Sequence, residues 1–167
     1  MITHFKMFAL YNQWANRKLY DAAGLLSEEH YHQDCGAFFG TMHKTLNHIL
    51  LGDSVWMSRF TDTPSSVTSL DAVLFDSFPT LSKARTDFDE HIIEYTSSLT
   101  QEKLDGQFSY TPVSDPVKVT QFLAPALAHM FNHQTHHRGQ VHAMLGAAGA
   151  PMYTTDIPFM PSSIKPE

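Results

Sequence analysis

An all-α protein, a four-helix bundle with a small hairpin insertion between helices three and four, is the fold class these 167 residues predict. Two observations carry it. Four segments repeat apolar residues at every third or fourth position, as a helix with a buried stripe does. A single stretch, between the third and fourth of them, alternates β-prone residues around prolines. At this length one domain is the natural reading, and the chain can bury a core without staples. The 43% hydrophobic content fits a globular protein. We expect the bundle over residues 1–150 and an extended C-terminal tail over 151–167.

The first helix is predicted over residues 3–23. Phe5, Phe8, Tyr11, Trp14, Leu19 and Ala22 form its stripe, with Thr3 suited to the N-cap and Gly24 to the stop. A loop follows over 25–36. The second helix, over 38–60, is apolar on two sides. At about 100° per residue, His48 shares a face with Thr41, Thr45, Gly52, Val55 and Arg59, while Phe39, Leu46, Leu50 and Met57 lie opposite. Such a helix is sandwiched in a core or packed in an oligomer, and we expect a homodimer. Residues 61–79 read as a polar connection with at most a short turn.

The third helix is predicted over 80–99, with Leu81, Ala84, Phe88, His91 or Ile92, Tyr95 and Leu99 facing inward. Residues 107–111 and 117–120 form the hairpin. The fourth helix starts at 123–125, where Pro125 is tolerated in a first turn, and ends at Gly146, Gly149 and Pro151.

Composition removes several function classes. Net charge is −6, from 17 acidic and 11 basic residues, and no Lys/Arg cluster offers a nucleic-acid footprint. The lone Cys35 excludes an intramolecular disulfide and Cys-rich zinc modules. No signal peptide and no apolar run of the ~18 residues needed for a membrane span is read, so a cytoplasmic protein is expected. His-Glu-x-x-His, Cys-x-x-Cys-His, a Gly-rich phosphate loop and Gly-x-Ser-x-Gly are all absent. Glu29-x-x-His32, in the loop, does not make a di-iron carboxylate site.

The histidines carry the chemistry. There are 11, as many as Lys and Arg together. In the fourth helix His129, His133 and His137 fall on one inward face, shared with Gln140 and Met144; His142 points away and His136 sits at the edge. Imidazoles at i and i+4 stand side by side and can chelate one ion. A third ligand must come from another helix, and His48, on a half-buried face, suits it better than His43. Three histidines leave coordination positions open, as catalytic metal sites do. The alternative is a row of hydrogen-bonded core histidines without metal, packed or sensing pH.

Three stretches resemble a known family. They are Tyr11-Asn12-Gln13-Trp14-Ala15-Asn16 with Leu19-Tyr20; Gly36-Ala37-Phe38-Phe39-Gly40 followed by His43, Leu46-Asn47-His48-Ile49-Leu50, Asp53 and Trp56; and Phe131-Asn132-His133-Gln134-Thr135-His136-His137-Arg138-Gly139-Gln140. Together they are similar to the DinB family, or DinB/YfiT-like metalloenzyme superfamily, which is distinct from the DNA polymerase sharing its name. The resemblance runs from about Phe5 to Gly149. It implies a four-helix bundle, commonly a homodimer, with a divalent metal on His48, His133 and His137. Zinc and nickel both suit imidazole ligands. Active relatives in the superfamily use low-molecular-weight thiols such as bacillithiol or mycothiol, and the family name implies induction by DNA damage.

Two functions are therefore expected: a metal-dependent enzyme, thiol S-transferase or hydrolase in type, or a non-catalytic metal-binding stress-response protein. Gln140 and His129 are candidates to bind a cofactor or orient a ligand. Asp53 is a candidate acceptor from a ligand imidazole, or simply exposed. Arg138 is expected in a structural ion pair. Asn12 and Trp14 are candidates for the pocket mouth, with core packing as the other role for Trp14.

Overall fold

The computed structural model describes residues 1–113 and 115–164. It is mostly helical. Four long helices, α1 (Ile2–Ala23), α3 (Met42–Thr61), α4 (Phe78–Ser97) and α6 (Leu123–Ala147), are joined by short helices α2 (Glu28–His32) and α5 (Gln101–Asp105). Strands β1 (Gln107–Tyr110) and β2 (Val119–Phe122) pair antiparallel, Gln107 opposite Phe122, and lead directly into α6. α1 packs on α4 and α6, and α3 packs on the same two helices.

Several boundaries differ from the sequence reading, for local reasons. α1 begins at Ile2 on Met1, which puts Thr3 inside the first turn. α3 begins at Met42, not at residue 38, because Thr41 Oγ1 caps it by accepting from Lys44 N at 3.2 Å. Phe38 and Phe39 therefore lie in a turn closed by an Ala37–Gly40 bridge, and Phe39 is not on the helix at all. α4 starts two residues earlier than expected, with Pro79 in its first turn. α2 falls in the expected loop over 25–36 and α5 in a stretch the sequence reading leaves unassigned, yet each has a Ser or Thr cap and an acidic first turn. Glu29-x-x-His32 is thus helical; His32 pairs with Glu28 at 3.3 Å, and its ring lies 4.8 Å from that of His43, outside the trio of His48, His133 and His137. The chain after Pro151 is not wholly extended. It makes two 3-10 turns, Ile157–Phe159 and Ser162–Ile164, and buries Met160 against Tyr11, Trp14 and Ala15.

Two large apolar clusters fill the interior, beside the small one that holds Met160. One gathers Phe5, Met57, Phe60, Ile92, Leu127, Met130 and Phe131; the other gathers Leu19, Leu46, Ile49, Leu81, Val141 and Leu145. Each of the four long helices carries buried polar residues between the residues it gives to the two clusters: Asn12 and Asn16 on α1, Asp53 on α3, Arg85 and Asp89 on α4, Gln134 and Arg138 on α6; His43, Thr45, Asn47 and Thr96 are buried outside this layer. The inner stripe of α4 accordingly runs Leu81, Arg85, Asp89, Ile92 and Tyr95, whereas Ala84 and Phe88 are only half-buried and His91 is exposed. The double-faced pattern of α3 is satisfied within one chain, since α2, α4 and α6 all pack against it.

Candidate metal centre

The packing of α3 on α6 brings His48 against His133 and His137. His133 Nε2 lies 3.1 Å from His137 Nε2 and 3.3 Å from His48 Nε2. One ligand atom from each histidine lies within 4.8 Å of the others, a group that could hold a metal ion. Tetrahedral coordination at bonds of about 2.0–2.1 Å places ligand nitrogens roughly 3.3–3.4 Å apart. The spacing suits a single ion.

The outer nitrogens decide what the inner ones carry. His48 Nδ1 donates to the Leu70 carbonyl at 2.9 Å, an acceptor only. His137 Nδ1 donates to Gln140 Oε1 at 2.8 Å. With Nδ1 protonated, each neutral ring turns an Nε2 lone pair toward His133. Protonation would relieve the crowding, but burial opposes it. Burial lowers all three imidazoles, and His133, surrounded also by His137, His48, His129 and His136, is pushed down to about 3. Converging lone pairs on neutral imidazoles are the donor set of a borderline cation such as Zn²⁺ or Ni²⁺. His133 Nδ1 is buried without a protein partner.

Room for the third ring is made by a missing side chain. A Cβ on Gly52, one turn after His48, would stand 2.9 Å from His133 Cε1. Phe39 stacks on His48 with ring centroids 4.0 Å apart and also borders His137 at 5.6 Å. Phe39 was expected opposite His48. The turn before Thr41 delivers it to the same side instead.

The other candidate residues divide. Gln140 touches His137 through Oε1 and His136 through Nε2, at 3.4 Å. His129 is exposed; its ring lies 6.0 Å from that of His133 and 5.0 Å from Trp56, outside the trio. Asp53 is neither exposed nor bound to an imidazole: fully buried, it accepts from Arg85 at 2.5 Å. Arg85 also pairs with Asp89 at 2.8 Å, and Asn16 donates to Asp89 at 3.0 Å. Among the described residues Arg138 makes no ion pair; it donates to Asn12, to Gln134 at 3.1 Å and to Thr135 at 3.1 Å. Asn12 is buried by that contact and Trp14 by Tyr11 and Met160, so neither borders the histidines. Sequence reasoning missed Phe39, the Leu70 carbonyl, Arg85, Asp89 and Gln134.

Beside the trio lies a cavity of about 750 Å³, lined by His48, His137, Gln140 and His136 and walled by Phe38, Phe39, Leu70 and Val113. A mostly helical protein with three converging imidazoles at a cavity wall belongs to the class of proteins able to hold a divalent ion at an accessible site. The DinB family profile matches residues 1–167, and the chain belongs to that family. Protein DinB of Bacillus subtilis is 31% identical over 159 residues, covering 91% of this chain and 90% of that protein. The crystal structure of a DinB-like protein from Bacillus cereus superposes with a TM-score of 0.67 at 21% identity, over 86% of this chain and 90% of the other, a likeness of fold. Among the described residues no helix is long and apolar enough to cross a membrane.

Proposed function

We propose that this DinB-family protein is a metal-dependent enzyme, a hydrolase or thiol S-transferase in type. In this reading His48, His133 and His137 hold one Zn²⁺ or Ni²⁺ in a cytoplasmic four-helix bundle. The observation that carries the reading is the convergence of three Nε2 atoms at the wall of a cavity large enough for a small molecule. Held by these three imidazoles, a divalent ion would supply Lewis acidity toward a water or thiol. The chain's own part is positional. The Leu70 carbonyl and Gln140 fix the orientation of two imidazoles, and Phe39 covers one face of His48. Gln140 and the more distant His129 are the polar groups we assign to ligand orientation. The homodimer implied by the family belongs to the same proposal and is tested by sedimentation.

Elemental analysis of untagged protein, wild type beside His48→Ala and His133→Ala, is the test. Near one ion per chain in wild type and little in either variant supports the site. Full metal in His48→Ala overturns the ligand set. A second reading, a non-catalytic metal-binding stress-response protein, is favoured by the ligands' placement on two helices, since an ion would tie α3 to α6. It predicts a large loss of melting temperature on chelation with no turnover of ester or thiol substrates.

A further inference from the structure

We propose that the cavity beside the three histidines takes a small molecule with an uncharged, aromatic body and a single metal-seeking head group, and that it discriminates against polyanionic thiols. The inference rests on the reading of the trio as a metal centre and concerns what lies next to it.

Phe38 is the first observation. It is 85% exposed, although it borders the cavity and contributes to neither apolar cluster. Its ring meets Phe39 edge-to-face at 4.9 Å, and Phe39 in turn stacks on His48. An aromatic ring held in water beside a binding cavity is surface that a ligand can cover. Leu70 and Val113 supply further apolar wall, and Leu70 is fixed there by the bond from its carbonyl to His48. The volume of about 750 Å³ is that of a small-molecule site.

Charge is the second observation. Among the described residues lining the cavity there is no Lys or Arg, and Asp71 is the one carboxylate. Asp71 accepts from the Ser69 hydroxyl, and Lys44 acts on it from outside the cavity. A bound divalent ion would compensate one anionic head group. Every further carboxylate on the ligand would enter an apolar cavity with no cation to meet it and with Asp71 nearby, an arrangement that costs binding.

The test uses two thiols with one sulfhydryl each, 2-phenylethanethiol with a neutral aromatic body and mercaptosuccinate with a dianionic one, titrated into the cobalt(II)-loaded full chain. The thiolate-to-cobalt charge-transfer band reports binding, and metal content is measured first on the same sample. We expect 2-phenylethanethiol to bind about tenfold or more tightly than mercaptosuccinate, from the aromatic area covered. Phe38→Ala should remove most of that advantage while leaving metal content and melting temperature unchanged, because Phe38 is outside the core. Equal or tighter binding of mercaptosuccinate overturns the proposal. So does an unchanged ratio in Phe38→Ala, or a loaded protein that binds neither thiol. A chain that takes up no cobalt fails the metal reading itself, and this proposal with it, and the metal content tells the two failures apart.

Discussion

Gly52 and His133 are fitted to one another across the α3–α6 contact, the absent side chain of the first making space for the ring of the second. Helix propensity alone favours the opposite residue, because Ala in a helix interior is better than Gly by roughly 0.5–1 kcal/mol. Gly52→Ala therefore sets two effects against each other. The metal-free protein should stay folded, while the ring of His133 must swing away and metal affinity should fall by at least about tenfold, as for other disturbances of ligand orientation. Competition with a chromogenic chelator measures the second, and a melting curve the first.

Gln140 acts on the centre through His137. Removing the amide in Gln140→Ala should weaken metal binding by about 10–100-fold, the usual consequence of losing the partner that orients a ligand imidazole. Gln140→Glu restores an acceptor for His137 Nδ1 and should recover most of the loss. Equal affinities in wild type and Gln140→Ala would mean that the bond at 2.8 Å does not orient the ring.

The metal-free protein should lose stability in mild acid. His133 falls from the ordinary 6.5 to about 3 through burial and its histidine neighbours, and His48 and His137 are lowered too. Between those limits the unfolded chain binds protons that the folded chain refuses, so stability declines as pH drops below about 6.5 and is unaffected by these groups above it. Melting temperature against pH should bend downward there. His133→Gln should flatten the bend.

Arg85 and Asp53 are buried at 2% and 0% exposure. Arg85→Met strands both Asp53 and Asp89, so it should destabilise by about 3–5 kcal/mol in chemical denaturation, whereas Asp53→Asn should cost less because Arg85 keeps Asp89. Replacing Arg85, Asp53 and Asp89 together with apolar residues of similar volume should cost much less, because no charge is then left unpaired.

The approach of His48 to His133 and His137 was legible in the sequence because helical period is geometry: i,i+4 spacing aligns two imidazoles, and the half-buried face of α3 offers the third. The long helices were legible for the same reason, and the hairpin through the strand's alternation of period two. Phe39 and Leu70 were not, because each reaches His48 through chain whose path no period describes. Nor were Arg85, Asp89 and Gln134. A polar residue at a core position reads as a gap in the apolar stripe, and only its partners on other helices, here Asp53 for Arg85 and Asn16 for Asp89 and Gln134, reveal why it is buried. The short α2 and α5 carry capping residues but too few turns for a period to show.

The polar layer between the two apolar clusters has a consequence for assembly of the fold. Greasy helices can slide past one another by a turn at little cost, since one Leu replaces another. Here a one-turn slip of α4 or α6 would carry Arg85 or Arg138 into a stratum of Leu and Ile and strand Asp53 or Asn12 behind it, a heavy penalty for unmatched buried charge and amide. The layer thus works as a vernier that indexes each helix against the others. His133 and His137, each adjacent in the chain to a member of that layer, are set at the height of His48 by alignment marks that bind no metal themselves.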